Sequence, residues 1–232
     1  MKSLKPKYKV CLRTRTNLWE DLAPLGEKSF HRPKWRNFLQ SLKRGHRRRK
    51  TYKKHALIRA KSRVRKFFRI RSSFKYSLEN RQRLKAFYGG LQDRKLNALC
   101  RSLWGKEKPR LALIRVLESR LDVNLYRLGF FSSIRASRQS ISHGKIQVNG
   151  RKTSIASFSL SIGDFVEVSP KYQTSIRSSI QSKRRLSPTP SWIEVDYPSL
   201  SFIVLNSIDA KEVLYPFWLN ADEILWSSTL GS

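Results

Sequence analysis

Apolar residues between Leu111 and Leu128 recur every three or four positions: Ile114, Leu117, Leu121, Leu125 and Leu128 form one stripe. That is the period of an amphipathic helix. The spacing predicts a single helix over the whole run, stopped by Gly129 where a left-handed C-terminal residue favours glycine. Upstream, Leu78 to Leu103 is helical by composition, with Gly89-Gly90 as a break. A shorter helix follows Gly129, with Ser132 or Ser133 as its N-cap, Ile134 and Ile141 on its inner face, and Gly144 at its end. The period then changes to two. Ile146 and Val148 alternate with Lys145 and Gln147 ahead of Asn149-Gly150, a strong hairpin signal. Gly163-Asp164 makes a second turn into Phe165–Val168. The pattern therefore predicts two helices followed by a small antiparallel sheet.

Beyond this unit, Tyr172 to Pro190 is rich in serine and ends in Lys183-Arg184-Arg185 and Ser187-Pro188-Thr189-Pro190, so it reads as a linker. Strand-like segments resume at Ser191–Val195 and Ser201–Leu205, separated by Pro198. The chain closes on an aromatic cluster of Tyr215, Phe217, Trp218 and Trp226, which is expected to pack on protein.

The polar positions add chemistry to this frame. Arg120 and Arg127 are seven residues apart and would point the same way from one helix. Arg135, Arg138, Gln139 and Ser142 fall at i, i+3, i+4 and i+7 and share a face of the next helix. Arg151 and Lys152 lie just past the hairpin turn. Two helices, each with an apolar stripe beside a basic flank, would present one positive surface when packed.

Charge names the kind of partner. The 232 residues suit one or two domains with extensions, and the 49 Lys and Arg exceed the 16 Asp and Glu to give +33. So large an excess repels itself and calls for a polyanion, with nucleic acid the densest common one. It is unevenly spread: residues 1–118 carry 36 basic and 7 acidic side chains, and the rest carry 13 and 9. From Lys28 to Leu78 there are 20 basic residues and no acid, a pattern that marks an interaction segment. Phe30, Trp35, Phe38, Tyr52, Phe67, Phe68, Phe74 and Tyr76 are interleaved with them. Disordered basic tails are usually poor in rings, so this block is expected to become helical and dock its rings on RNA or its own protein.

Other classes fall away. No apolar run approaches the roughly 18–20 residues of a membrane span. Cys11 and Cys100 are far apart and lack a CxxC partner, so neither a disulfide framework nor a cysteine zinc site is expected. Glu20 and Asp21 and the missing apolar core argue against a secretory signal. Glu118 and Asp122 stand one helical turn apart and could be taken for a catalytic pair. Arg115, Arg120 and Arg127 crowd the same helix, and the expected role of the acids is to orient those arginines as surface helix pairs. His143 sits at a helix C-terminus, where positive charge is favourable. His31, His46 and His55 lie far away in the basic block, so no metal site is expected. Phosphate-cradling glycine loops, nucleophile elbows and HExxH patterns are missing from the sequence.

One stretch, Glu118 to Val168, resembles a known family. Arg120-Leu121-Asp122, Tyr126-Arg127-Leu128-Gly129, Ala136 to Gln139, Ser142-His143-Gly144, Val148-Asn149-Gly150 and Gly163-Asp164 are similar to the RNA-binding module of small-subunit ribosomal protein four. Some tRNA synthetases, pseudouridine synthases and heat-shock proteins share that module. The lead-in Phe74 to Leu99, with its "LENRQRL", resembles the ribosomal family alone, and the tail "SWIEVDYPSLSFIVL" resembles mitochondrion-encoded plant-type members. The resemblance implies binding to the 5′ domain of small-subunit rRNA, close to where mRNA enters, alongside neighbouring small-subunit proteins. It implies no cofactor, membrane or small-molecule substrate. The zinc-binding cysteines of some bacterial members are missing here.

The expected fold is α+β. It comprises a basic N-terminal extension (1–73), a helical domain (74–110), the RNA-binding module (111–170), a linker (171–190) and a C-terminal strand region (191–232). By resemblance, the tail is expected to pack back on the N-terminal helical domain. Expected RNA contacts are Arg120, Arg127, Arg135, Arg138, Gln139, His143, Lys145, Asn149, Arg151 and Lys152, with Arg81, Arg83, Lys85, Arg47, Arg48, Arg49 and Lys50 upstream. The expected compartment is a mitochondrion, with a plastid as the alternative. The rival function is an RNA-modifying enzyme that uses the module as a grip, but the roughly 60 residues after the module hold no convincing acid or nucleophile.

Overall fold

The computed structural model describes residues 7–14, 16, 18, 37–38, 40, 77–181, 189–217 and 219–229. Almost all of the basic block from Lys28 to Leu78 lies outside them, including Arg47, Arg48, Arg49 and Lys50, as do Trp218 and Lys183 to Ser187. In chain order the helices are α1 (Lys7–Thr14), α2 (77–87), α3 (Asp93–Leu103), α4 (Pro109–Glu118), α5 (Leu121–Arg127), α6 (Ile134–Ser142), α7 (Pro170–Gln181) and α8 (Ala221–Thr229). The strands are β1 (Ile146–Val148), β2 (Arg151–Lys152), β3 (Phe165–Val168), β4 (Ile193–Asp196) and β5 (Ser201–Val204). The fold is α+β.

The chain forms two compact units, one from Met1–Gly90 with Tyr215–Ser232, the other from Leu91–Leu214. In the first, α2 buries Leu84 and Phe87, and Tyr88 just past its end is buried too. Phe87 meets Tyr215 and Phe217 edge-on with centroids 5.5 and 5.6 Å apart, and the Tyr88 and Tyr215 hydroxyls are 2.6 Å apart. Asn80, fully buried, donates to the Asn220 carbonyl at 3.1 Å and to Glu223 of α8 at 3.1 Å. The end of the chain thus belongs with the N-terminal helical unit because the Tyr215 and Phe217 rings and the N-terminus of α8 complete its core.

The second unit holds the two-helix element and the sheet. Its strands run β2-β1-β3-β5-β4, all antiparallel. Val148 pairs with Arg151 across Asn149-Gly150, whose φ values of 50° and 75° supply the left-handed pair that a two-residue hairpin needs. Ile146, Val148, Val166, Val168, Phe202 and Val204 of the sheet are buried, as are Leu121 and Leu125 of α5, Leu128 just past it and Ile141 of α6, each of these four at most 1% exposed.

Three expectations are corrected. The helix predicted over Leu111–Leu128 is two helices, broken at Ser119-Arg120. Arg120 is extended (φ −69°, ψ 139°) and bridges to Ser159. The amides of Leu121 and Asp122 go to the Phe158 and Ala156 carbonyls, while Leu160 donates to Ser119. A neighbouring segment thus takes over the backbone bonds that a continuous helix would have made. The expected linker at 171–190 begins as helix α7, which buries Ile176 and whose Gln173 donates to the Val168 and Ser199 carbonyls at 3.1 and 3.2 Å. Finally, β4 and β5 do not form a region with residues 215–232. Phe202 lies opposite Val166, so these strands extend the module's own sheet.

Candidate RNA-binding surface

Two buried carboxylates organise the module. Glu118 and Asp122 are both 0% exposed, and the helix break sends them to different partners. Arg127 forks onto Glu118 (Nε–Oε2 3.1 Å, Nη2–Oε1 2.7 Å), and its Nη1 reaches the Leu214 carbonyl at 2.8 Å. Arg120 forks onto Asp122 (Nε–Oδ1 3.0 Å, Nη2–Oδ2 2.9 Å), and Arg138 of α6 adds a bond from Nε to Oδ2 at 2.6 Å. Orienting arginines is the role expected of these acids. They do it from the interior, not as exposed helix pairs, so a buried charge is matched by a fork of donors at each site. Arg120 and Arg127 do not share one helix, since the break falls between Glu118 and Leu121, and they go to different carboxylates. Committed to separate arginines, the two acids do not form a catalytic pair.

Helix α6 is capped as predicted: the Ser133 hydroxyl accepts from the Ala136 amide at 3.2 Å. Its outward face carries Arg135, Gln139 and Ser142, all exposed, with Arg138 half-buried beside them. His143 follows exposed at the C-cap. Lys145 stretches over the Tyr172 ring at 5.0 Å, a cation–π contact that draws α7 toward the start of β1. At the hairpin, Asn149 is exposed but engaged: its amide nitrogen donates to Asp164 at 2.9 Å and its Oδ1 accepts from the Phe165 amide at 2.9 Å. Arg151 and Lys152 are exposed on β2, the edge strand. The structure therefore brings the α6 face, His143 and the hairpin cations together on one unit. Arg120 and Arg127 are largely spent on internal carboxylates, with side chains 15% and 17% exposed.

Upstream, Arg83 is 4% exposed, with Nε on the Thr14 carbonyl at 3.1 Å and Nη2 on Glu79 at 3.4 Å. It braces α2 to α1 instead of facing outward. Arg81 and Lys85 are half-buried on α2. Both cysteines are buried and lie outside any disulfide, no group of His, Cys, Asp or Glu among the described residues could hold a metal ion, and none of their helices is long and apolar enough to cross a membrane. Sequence spacing missed Arg138 as the second partner of Asp122, since sixteen residues and a helix turn separate them. The Lys145–Tyr172 stack was hidden by reading α7 as linker.

The S4 domain family matches residues 119–166, from the helix break to β3. Small ribosomal subunit protein uS4 of Kosmotoga olearia is 36% identical over 152 residues, 65% of this chain and 73% of that protein. The chain belongs to the uS4 family. The uS4B protein of Clostridium acetobutylicum is 38% identical over 142 residues, covering 61% of this chain and 73% of its own length. The uS4 of Rickettsia prowazekii is 36% identical over 151 residues, or 63% and 72%. These uS4 matches are about three times as long as the matched S4 domain, so the similarity extends well beyond the module.

Proposed function

We infer that this protein is a structural constituent of the small ribosomal subunit that binds rRNA and transforms no substrate. The observation that carries the reading is the length of the uS4 match, 152 residues against a 48-residue module. An enzyme that borrowed the module as a grip would resemble uS4 only across the module. The exposed chemistry agrees: Arg135, Gln139, His143, Arg151 and Lys152 suit phosphates and sugar hydroxyls, the groups by which proteins recognise folded RNA shape.

In the finer reading, the contact is with the 5′ domain of the rRNA, close to where mRNA enters, and neighbouring subunit proteins complete the site. The 20 basic residues between Lys28 and Leu78 follow adjacent rRNA segments. The compartment is a mitochondrion, supported by the resemblance of the tail "SWIEVDYPSLSFIVL" to plant-type members and by the heavily basic first half.

The test is the salt dependence of binding between the full chain and a 5′-domain rRNA fragment. Changing Arg135, Arg151 or Lys152 to glutamine should lower the slope of log K against log salt by about one unit for each phosphate that is no longer neutralised. A slope untouched by all three changes would mean that the RNA lies elsewhere.

A further inference from the structure

We propose that Asp122 is a positioning residue that makes the α6 surface selective for one RNA geometry, an inference that rests on the rRNA-binding reading above. An acid on an RNA-binding face is electrostatically unfavourable. With Arg120 and Arg138 it leaves a trio of net charge +1, where a neutral residue would leave +2. A chain of charge +33 has no need to moderate its attraction one carboxylate at a time.

What Asp122 supplies is geometry. It is 0% exposed, and both its oxygens receive the Arg120 fork, at 3.0 and 2.9 Å. One of those oxygens also receives Arg138 Nε at 2.6 Å from a different helix. Gripping a guanidinium at Nε fixes its plane, and a planar fork recognises a phosphate or base edge only in the right orientation. Both arginines remain partly open, with side chains 15% and 27% exposed, so each can touch RNA while held from behind. Arg138 lies half-buried at the edge of the outward face, beside Ser142 and Arg135, so the guanidinium that Asp122 holds borders that row.

Charge and positioning predict opposite signs for Asp122→Asn. The chain gains one positive charge, so unselective binding to RNA should hold or strengthen. If Asp122 positions the arginines, binding to the 5′-domain rRNA fragment should instead weaken about tenfold, the scale of one misaligned arginine contact. The experiment measures both affinities for the full chain at fixed salt, using the rRNA fragment and an unrelated duplex RNA of equal length. Weaker binding to the fragment with duplex binding held is the expected result. A parallel rise on both RNAs would show Asp122 to be only a brake on charge, and a parallel fall would show it to be only a brace of the fold.

Should Asp122→Asn fail to melt cooperatively, Arg138→Lys carries the test, because it keeps the charge and removes the Nε grip. It should show a several-fold smaller preference for the fragment with melting unchanged, and an unaltered preference would overturn the proposal. If the unaltered chain shows no preference for the fragment, the rRNA-binding reading itself fails. If it does and both variants keep that preference, only the role of Asp122 fails.

Discussion

Replacing Arg127 by methionine isolates what the buried pair with Glu118 contributes. Methionine retains much of the aliphatic stem and its packing and removes three hydrogen bonds, at 3.1 and 2.7 Å to Glu118 and 2.8 Å to the Leu214 carbonyl. Glu118 is 0% exposed and would lose the bidentate guanidinium of Arg127. Breaking such a pair from one side costs about 3–5 kcal/mol, mostly the penalty of a buried uncompensated charge. For a chain of this size, 1 kcal/mol moves the melting temperature by about 2–4 °C, so the lower figure predicts a drop of roughly 6–12 °C. Melting of the full chain followed by circular dichroism reads it. The double variant Glu118→Leu with Arg127→Met removes both charges and should recover most of the stability, because an apolar replacement of a buried pair is often near neutral. A single variant that melts within about 2 °C of the parent would refute this, as would a double variant no better than the sum of the two singles.

Other changes test separate links. Ser133→Ala removes the cap on the Ala136 amide and should cost about 1 kcal/mol, read by urea denaturation, with no change in the secondary structure of the folded chain. Asn149→Ala removes the bonds to Asp164 and Phe165 at a residue whose φ is 50°, so destabilisation of about 1–3 kcal/mol is expected; a neutral result would mean that the turn holds without its clamp. Removing residues 191–232 strips β5 from β3, which exposes a strand edge, and takes Tyr215, Phe217 and α8 from the first unit's core, so the shortened chain should aggregate by light scattering. A monodisperse truncated chain would show that β4 and β5 are dispensable to the module.

Much of the module was legible because local rules govern it. Asn149-Gly150 dictates its hairpin through positive φ, Ser133 its helix start, and Ile146 and Val148 their alternation. The break at Ser119-Arg120 was not legible. No glycine or proline stands there, and what ends the helix is backbone pairing with residues 156–160, distant in sequence. The apolar stripe is real on both sides of the break, which is why periodicity alone ran straight through it. Helix α7 was hidden by its serines, which have weak helical preference; its position is held instead by Ile176, Gln173 and the Tyr172 stack on Lys145. The site suffered from the same limit. Spacing grouped Arg120, Arg127 and Arg138 as outward cations, whereas the two buried carboxylates decide what each arginine does.

The central claim, that this protein is a working part of the small ribosomal subunit, is tested most directly by sedimentation. Lysate of cells that make the protein is run on sucrose gradients at low and high magnesium, with the protein followed by antibody. A subunit protein comigrates with the small subunit at both magnesium concentrations and through moderate salt, and that is the expected result. Migration at the top of the gradient under both conditions would contradict it.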